Sequence, residues 1–205
     1  MKLEKLFPMF LNLSARPCLV VGAGAIAESK MASLLEAGGR VRVVAPEATA
    51  QVRSWAQANT LEWHQRAFES DDLAGMFLVI AATSSTELHE RIFEEATRRG
   101  VLCNIVDVPR LCDFYYPSVV QRGALQIAIS TAGQSPALAQ RIRKQLEDQF
   151  GPEYEEWLAQ LGEARDRLHS TDMDPNDRKR LLHAQATEEA FEAFLRNRGQ
   201  SKLSG

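Results

Sequence analysis

Between Arg16 and Asp107 the hydrophobic positions fall into short β-branched runs, separated by longer stretches in which apolar residues recur every three or four positions. The runs CLVVG, VRVVAP, FLVIAAT and LCNIVD have the length and composition of buried strands. The stretches near Ile26 to Ala37, Thr49 to Gln57 and Thr86 to Arg99 have helical spacing. A weaker run, LEWHQRAF from Leu61 to Phe68, fits one more strand. Such alternation specifies an α/β domain with a parallel sheet, because parallel neighbours need a long crossover between them.

The pattern changes after Asp107. SVVQRG and ALQIAIS, joined at Arg122-Gly123, predict an antiparallel pair, and Ser135-Pro136 opens a helix running to about Phe150. Beyond Gly151-Pro152, the apolar residues Trp157, Leu158, Leu161 and Leu168, then Leu181, Leu182, Phe191, Phe194 and Leu195, recur at helical spacing. They predict two helical segments broken by the turn-rich HSTDMDPND. The closing GQSKLSG is expected to lack order.

Length and composition narrow the field. At 205 residues the chain suits one main domain with a small helical annex. A net charge of -3 gives no reason to expect nucleic acid, so an anionic ligand needs a local basic patch. MKLEKLFPMFLNLSARP lacks the apolar core and cleavage site of a signal peptide, and no segment is apolar for long enough to span a bilayer. Three cysteines without CxxC spacing point to reduced thiols in a cytoplasmic protein, with Cys18 and Cys103 as small buried apolar residues. His64, His89, His169 and His183 are scattered, which predicts surface or capping roles and no metal site.

Chemistry enters at VVGAGAIAESK. Gly22, Gly24 and Ala27 form the G-x-G-x-x-G/A arrangement directly after a strand and at the head of a helix. The first glycine permits the tight turn, the second lets backbone approach a pyrophosphate, and the small third residue packs helix on sheet. With the intervening Ala25 and Ile26, this loop is expected to hold a dinucleotide on a Rossmann-type domain covering residues 1–112. An acid on the ribose is expected about 20 residues on. There the chain reads Val43-Val44-Ala45-Pro46-Glu47, so Pro46 and Glu47 are candidates, and Glu47 serves either the ribose or the first turn of the next helix. Only Arg42 is basic nearby, which favours NAD over NADP. Ala82 and Thr83 close another strand with small and hydroxyl residues that suit a cofactor lying against backbone, whereas Ser84 and Ser85 also suit a helix N-cap.

Asn104 and Asp107 stand near the end of the strand LCNIVD, where open parallel sheets bind ligands. A partly desolvated carboxylate there suits general base work, with Asn104 orienting it or the cofactor amide; equally, Asp107 suits a turn through Val108-Pro109.

The series FLNL, VVGAGAIAESKMASLLEAGGRVRVVAPE, AATS, CNIVDVP and FYYPSVVQRGALQIAISTAGQSPALAQRIRKQLE resembles the siroheme-synthase N-terminal family, the precorrin-2 dehydrogenases, from Leu6 to about Phe150. The resemblance implies a homodimer that oxidises precorrin-2 to sirohydrochlorin with NAD, in some members also inserting ferrous iron as a ferrochelatase. It implies a role for Asp107 in both activities, a dimerisation segment over residues 113–150 and a helical C-terminal region over 151–205 that helps to cover the substrate. The family's serine in S-S-G-G-T-S-P falls on Thr131 here, which puts regulation through that hydroxyl in doubt. For a substrate rich in carboxylates, Arg110 and Arg122, with Thr131, Gly133 and Ser135 at a helix start, are the expected binding groups, and Arg141, Arg143 and Lys144 either join them or form a solvated face. The length leaves no room for the methyltransferase domain of the larger relatives, so a stand-alone form is expected.

Overall fold

The computed structural model describes residues 5–203. The chain forms two compact units that divide between Tyr115 and Tyr116. The first is a Rossmann-like α/β unit. Its strands β1 (Pro17–Val21), β2 (Arg40–Val44), β3 (Glu62–His64), β4 (Leu78–Ala81) and β5 (Leu102–Ile105) lie in the order β3-β2-β1-β4-β5. All four pairings are parallel. The crossovers carry helices α1 (Ala25–Glu36), α2 (Ala50–Gln57) and α3 (Thr86–Arg99).

Apolar residues fill both faces of the central strands. Cys18 and Val20 of β1 pack with Val41, Val43, Ile80 and the α1 residues Ala27, Met31 and Leu34. The alternate residues Leu19 and Val21 pack with Val79, Ile105 and the α3 residues Ile92 and Ala96. This two-sided burial explains why the strands read as continuous apolar runs. Each fully buried Leu, Ile or Met contributes about 1.5–3 kcal/mol of transfer free energy. Cys18 and Cys103 belong to this core, where burial pushes their thiols up to about 11 and about 12.

The helix ends follow their sequence signals. Thr49 caps α2 by accepting from the Val52 amide, and Ser85 caps α3 by accepting from the Leu88 amide. Gly100 closes α3 at φ +68°, with Arg98 and Arg99 in the last turn. The edge strand β3 is shorter than the expected Leu61 to Phe68. After His64 the chain bends so that the Arg66 guanidinium grips Asp72 at 2.6 and 2.9 Å, which removes Arg66 onward from the ladder.

The second unit begins with the expected antiparallel pair, β6 (Ser118–Arg122) and β7 (Leu125–Ile129), turning at Gly123 with φ +56°. Helix α4 (Pro136–Gln149) follows, with Ser135 as its N-cap. The annex contains three helices rather than two: α5 (Glu153–His169), α6 (Pro175–Gln185) and α7 (Glu188–Leu203). The extra break falls at Ala186-Thr187, where Thr187 starts a new helix by accepting from the Ala190 amide through its hydroxyl and from the Phe191 amide through its carbonyl. Tyr154 and Trp157 of α5 meet Phe191 of α7 at centroid separations of 4.5 and 4.7 Å, so half-buried aromatic rings join these two helices. Helix α7 continues through Leu203 into the stretch expected to lack order, and Ser204 and Gly205 lie outside the described residues. Among the described residues, no helix is long and apolar enough to cross a membrane.

Candidate functional site

The strand order reverses direction at β1, with β2 on one side and β4 on the other, and this is the switch point at which such sheets open a crevice. A cleft of about 760 Å³ lies there, entirely within the first unit. Four strand ends build its wall: Gly22 to Ala27 after β1, Ala45 to Glu47 after β2, Ala82 to Ser84 after β4, and Val106 with Asp107 after β5. All the expected cofactor residues therefore meet around one space, including Pro46 and the exposed Glu47.

The glycine loop is shaped for a close visitor. Gly22 has φ +99°, and a Cβ there would lie 2.4 Å from the Ala82 carbonyl oxygen, so β1 and β4 can approach only if this residue is glycine. Gly24 differs, because a Cβ there would meet nothing within 4 Å and would project into open space. Gly24 is also the N-cap of α1 and supplies no side-chain cap to the first-turn amides. Those amides and the helix dipole suit an anion, and the missing Cβ leaves room for a pyrophosphate. The residues present thus fit a dinucleotide.

Asp107 stands on the opposite wall at φ +62°, a left-handed conformation uncommon for a residue with a side chain. The turn that carries it is closed by backbone, Val108 N–H donating to the Ile105 carbonyl at 3.1 Å. Among the described residues the Asp107 carboxylate receives no hydrogen bond from that turn. It is exposed on the cleft wall rather than partly desolvated as expected. Its electrostatic partner is Lys30, which the sequence reading missed. Burial lowers the Lys30 ammonium while the Asp107 charge raises it. Lys30 follows Ile26 by one helical turn, and helical side chains lean toward the N-terminus, so Lys30 leans back toward the cleft mouth. Only the fold reveals that β5 ends opposite it.

A model of the family described as putative NAD(P)-binding matches residues 9–118, and one described as sirohaem biosynthesis protein central matches residues 122–149. The chain belongs to the family described as putative NAD(P)-binding. It is 42% identical over 140 residues to a siroheme synthase of Nitrosococcus oceani, covering 68% of this chain and 30% of that protein. A siroheme synthase of Neisseria meningitidis serogroup B is 36% identical over 192 residues, covering 94% and 40%. The chain thus spans less than half the length of these relatives. A solved structure described as SirC, precorrin-2 dehydrogenase, superposes with a TM-score of 0.81 at 25% identity, over 97% of this chain and 98% of that one.

Other expected site residues have different partners. Asn104 is buried, and its amide donates to the Phe114 carbonyl at 2.7 Å; it fastens the segment after β5 instead of orienting Asp107. Arg110 is exposed and ion-paired with Glu90. Arg122 donates to the carbonyls of Phe150, Gln121 and Glu147 at 2.8, 2.9 and 3.1 Å. It therefore caps the C-terminal end of α4, and its guanidinium is committed there rather than offered to substrate. In the same unit Thr131 accepts from the Ser135 amide through its hydroxyl, and Ser135 accepts from the Leu138 amide. Both hydroxyls hold the turn into α4, with Gly133 at φ +77° between them. Arg143 pairs with Glu147 along α4, in keeping with a solvated face.

His89 also departs from expectation. It is 7% exposed and bonds Thr83 rather than solvent. Among the described residues, no group of three or more His, Cys, Asp or Glu is arranged to hold a metal ion.

Proposed function

We propose that this chain is a homodimeric precorrin-2 dehydrogenase that oxidises precorrin-2 to sirohydrochlorin with NAD. The observation that carries the reading is the meeting of a glycine-lined anion cradle and the carboxylate of Asp107 on one cleft. NAD, when bound, supplies the hydride acceptor. Gly22 and Gly24 would admit its pyrophosphate to the α1 amides, while Pro46 and Glu47 would flank the ribose nearest β2. Arg42 is tied to Glu62 at 2.9 Å, so it is poorly placed to recruit a further phosphate, which supports NAD over NADP.

Oxidation of the macrocycle removes a hydride and a proton. Asp107 takes the proton: it is exposed to the cleft and engaged by no turn amide, so its carboxylate oxygens are open to a substrate proton. Ferrous iron insertion into the product is a second use of the same carboxylate, because pyrrole protons must leave as the metal enters. Arg110 receives a substrate carboxylate by exchanging it for Glu90, a surface pair that costs little to open. Residues 113–150 provide the dimer contact, supported by the exposed apolar side chains of Tyr116, Val119 and Leu138.

The test is an anaerobic assay with precorrin-2 and NAD that follows NADH and sirohydrochlorin together. Wild type is expected to form the two in equal amounts, and Asp107→Asn to lose about a hundredfold or more in turnover while binding NAD as before. Unchanged turnover in the variant would return Asp107 to a turn role. Absence of NADH from a protein that binds NAD would sink the dehydrogenase reading. Added ferrous iron is expected to carry the wild-type product on to siroheme.

A further inference from the structure

The cleft wall contains one side chain whose orientation is set from behind. Thr83 follows β4 and lines the cleft, and His89, one turn into α3, is buried directly behind it. The His89 Nε2 lies 3.0 Å from the Thr83 carbonyl oxygen and 3.0 Å from the Thr83 Oγ1. A carbonyl oxygen can only accept, so Nε2 carries a proton whether the ring is neutral or charged. The same N–H is shared with Oγ1, as in other three-centre bonds. The hydroxyl therefore cannot donate to His89, and its own proton is left for another acceptor.

The other side of Thr83 is fixed as well. Its Cγ2 faces the glycine loop, lying 3.3 Å from the position that a Cβ on Gly22 would occupy. The methyl group is held against Gly22 and the hydroxyl oxygen against His89, which leaves the hydroxyl proton on the cleft wall.

We propose that His89 is a positioning residue that presents the Thr83 hydroxyl as a hydrogen-bond donor to an acceptor oxygen of the bound dinucleotide. The inference rests on the cleft being the dinucleotide site. It adds that the α3 histidine, which does not line the cleft, sets dinucleotide affinity through Thr83.

The test is NADH binding by fluorescence titration on the full chain, with the melting temperature of each ligand-free variant measured alongside. Thr83→Val keeps the shape of the side chain and removes the donor, and about a tenfold loss of NADH affinity is expected, the scale of one hydrogen bond. Thr83→Ser is expected to bind within about threefold of wild type, because it retains the hydroxyl. His89→Leu is expected to lose about as much as Thr83→Val, and His89→Gln, which restores an N–H donor, to regain most of it. The double variant His89→Leu with Thr83→Val is expected to bind no worse than Thr83→Val alone, since the two changes interrupt one chain of contacts. Parallel titrations with ADP-ribose locate the acceptor: an equal loss places it on the shared half of the molecule, and a loss confined to NADH places it on the nicotinamide half.

Additive losses, or wild-type affinity in Thr83→Val, would overturn the role given to His89 and leave the cofactor reading intact. Failure of the wild type to bind NADH would overturn both. If His89→Leu does not fold, the Thr83→Val and His89→Gln titrations still decide.

Discussion

A methyl group added at Gly22 or at Gly24 meets opposite surroundings two residues apart. At Gly22 it would stand 2.4 Å from the Ala82 carbonyl at a φ of +99°, so Gly22→Ala is expected to cost about 1–3 kcal/mol of stability and to push β4 from β1. At Gly24 it would stand in open space, so Gly24→Ala is expected to leave the melting temperature within about 2–4 °C of wild type while weakening NADH binding at least about tenfold. Thermal melts and NADH titrations on both variants check the pair, and equal affinity for Gly24→Ala and wild type would remove the cradle from the site. Asp107 offers a similar contrast. Its φ of +62° is tolerated by Asn, so Asp107→Asn is expected to fold normally, whereas Asp107→Val places a β-branched residue in the left-handed region and is expected to lose about 1–2 kcal/mol in a urea melt.

The elements owe their positions to bonds that sequence spacing does not announce. Asp72 is 4% exposed; it accepts from Arg66 at 2.6 and 2.9 Å and from the Glu69 amide at 2.8 Å, in a capping box that fixes the turn after β3. Burial pushes its carboxyl up, but the Arg66 and Glu69 bonds outweigh burial and hold it below the ordinary range. A carboxyl held low in the folded state contributes stability that is full above its unfolded value, about 3.9, and is lost as pH falls through the lower folded value. Asp72→Asn is therefore expected to be about 1–2 kcal/mol less stable at pH 7, with the gap to wild type closing below about pH 4. Urea melts at pH 7 and pH 3 measure both ends, and a gap that persists at pH 3 would contradict the linkage. Arg122 provides the counterpart in the second unit. Its side chain reads as a candidate anion ligand in sequence but closes the last turn of α4 in the fold, because the Glu147 and Phe150 carbonyls at that helix end accept from its guanidinium.

At the scale of the whole molecule, the cleft belongs to the first unit, so NAD binding is expected to stabilise that unit selectively. At a hundredfold excess over Kd the linkage is about 2.7 kcal/mol, and calorimetry with and without NAD should show it on one transition if the two units unfold separately. Light scattering coupled to size exclusion is expected to give twice the chain mass. Charged substitutions at Val119 and Leu138 together are expected to shift it to the monomer, and a monomeric wild type would remove the dimer from the proposal.

The alternation of apolar runs and amphipathic stretches was enough to determine the parallel α/β unit, its helices and the antiparallel pair, since period and length constrain these elements locally. The glycine spacing after β1 likewise located the turn that lines the cleft. The annex misled at Ala186-Thr187 because a short capping turn leaves the helical period almost undisturbed on either side. What only the tertiary structure decided is which polar groups face the cleft. Asp107 and Lys30 lie far apart in sequence and come within electrostatic reach because β5 ends opposite α1. Asn104 is only three positions before Asp107 in sequence and yet is committed to Phe114, while His89 is turned from the surface onto Thr83. A side chain's partners depend on which strand ends the sheet order brings together, and that order is set by long-range pairing rather than by local pattern.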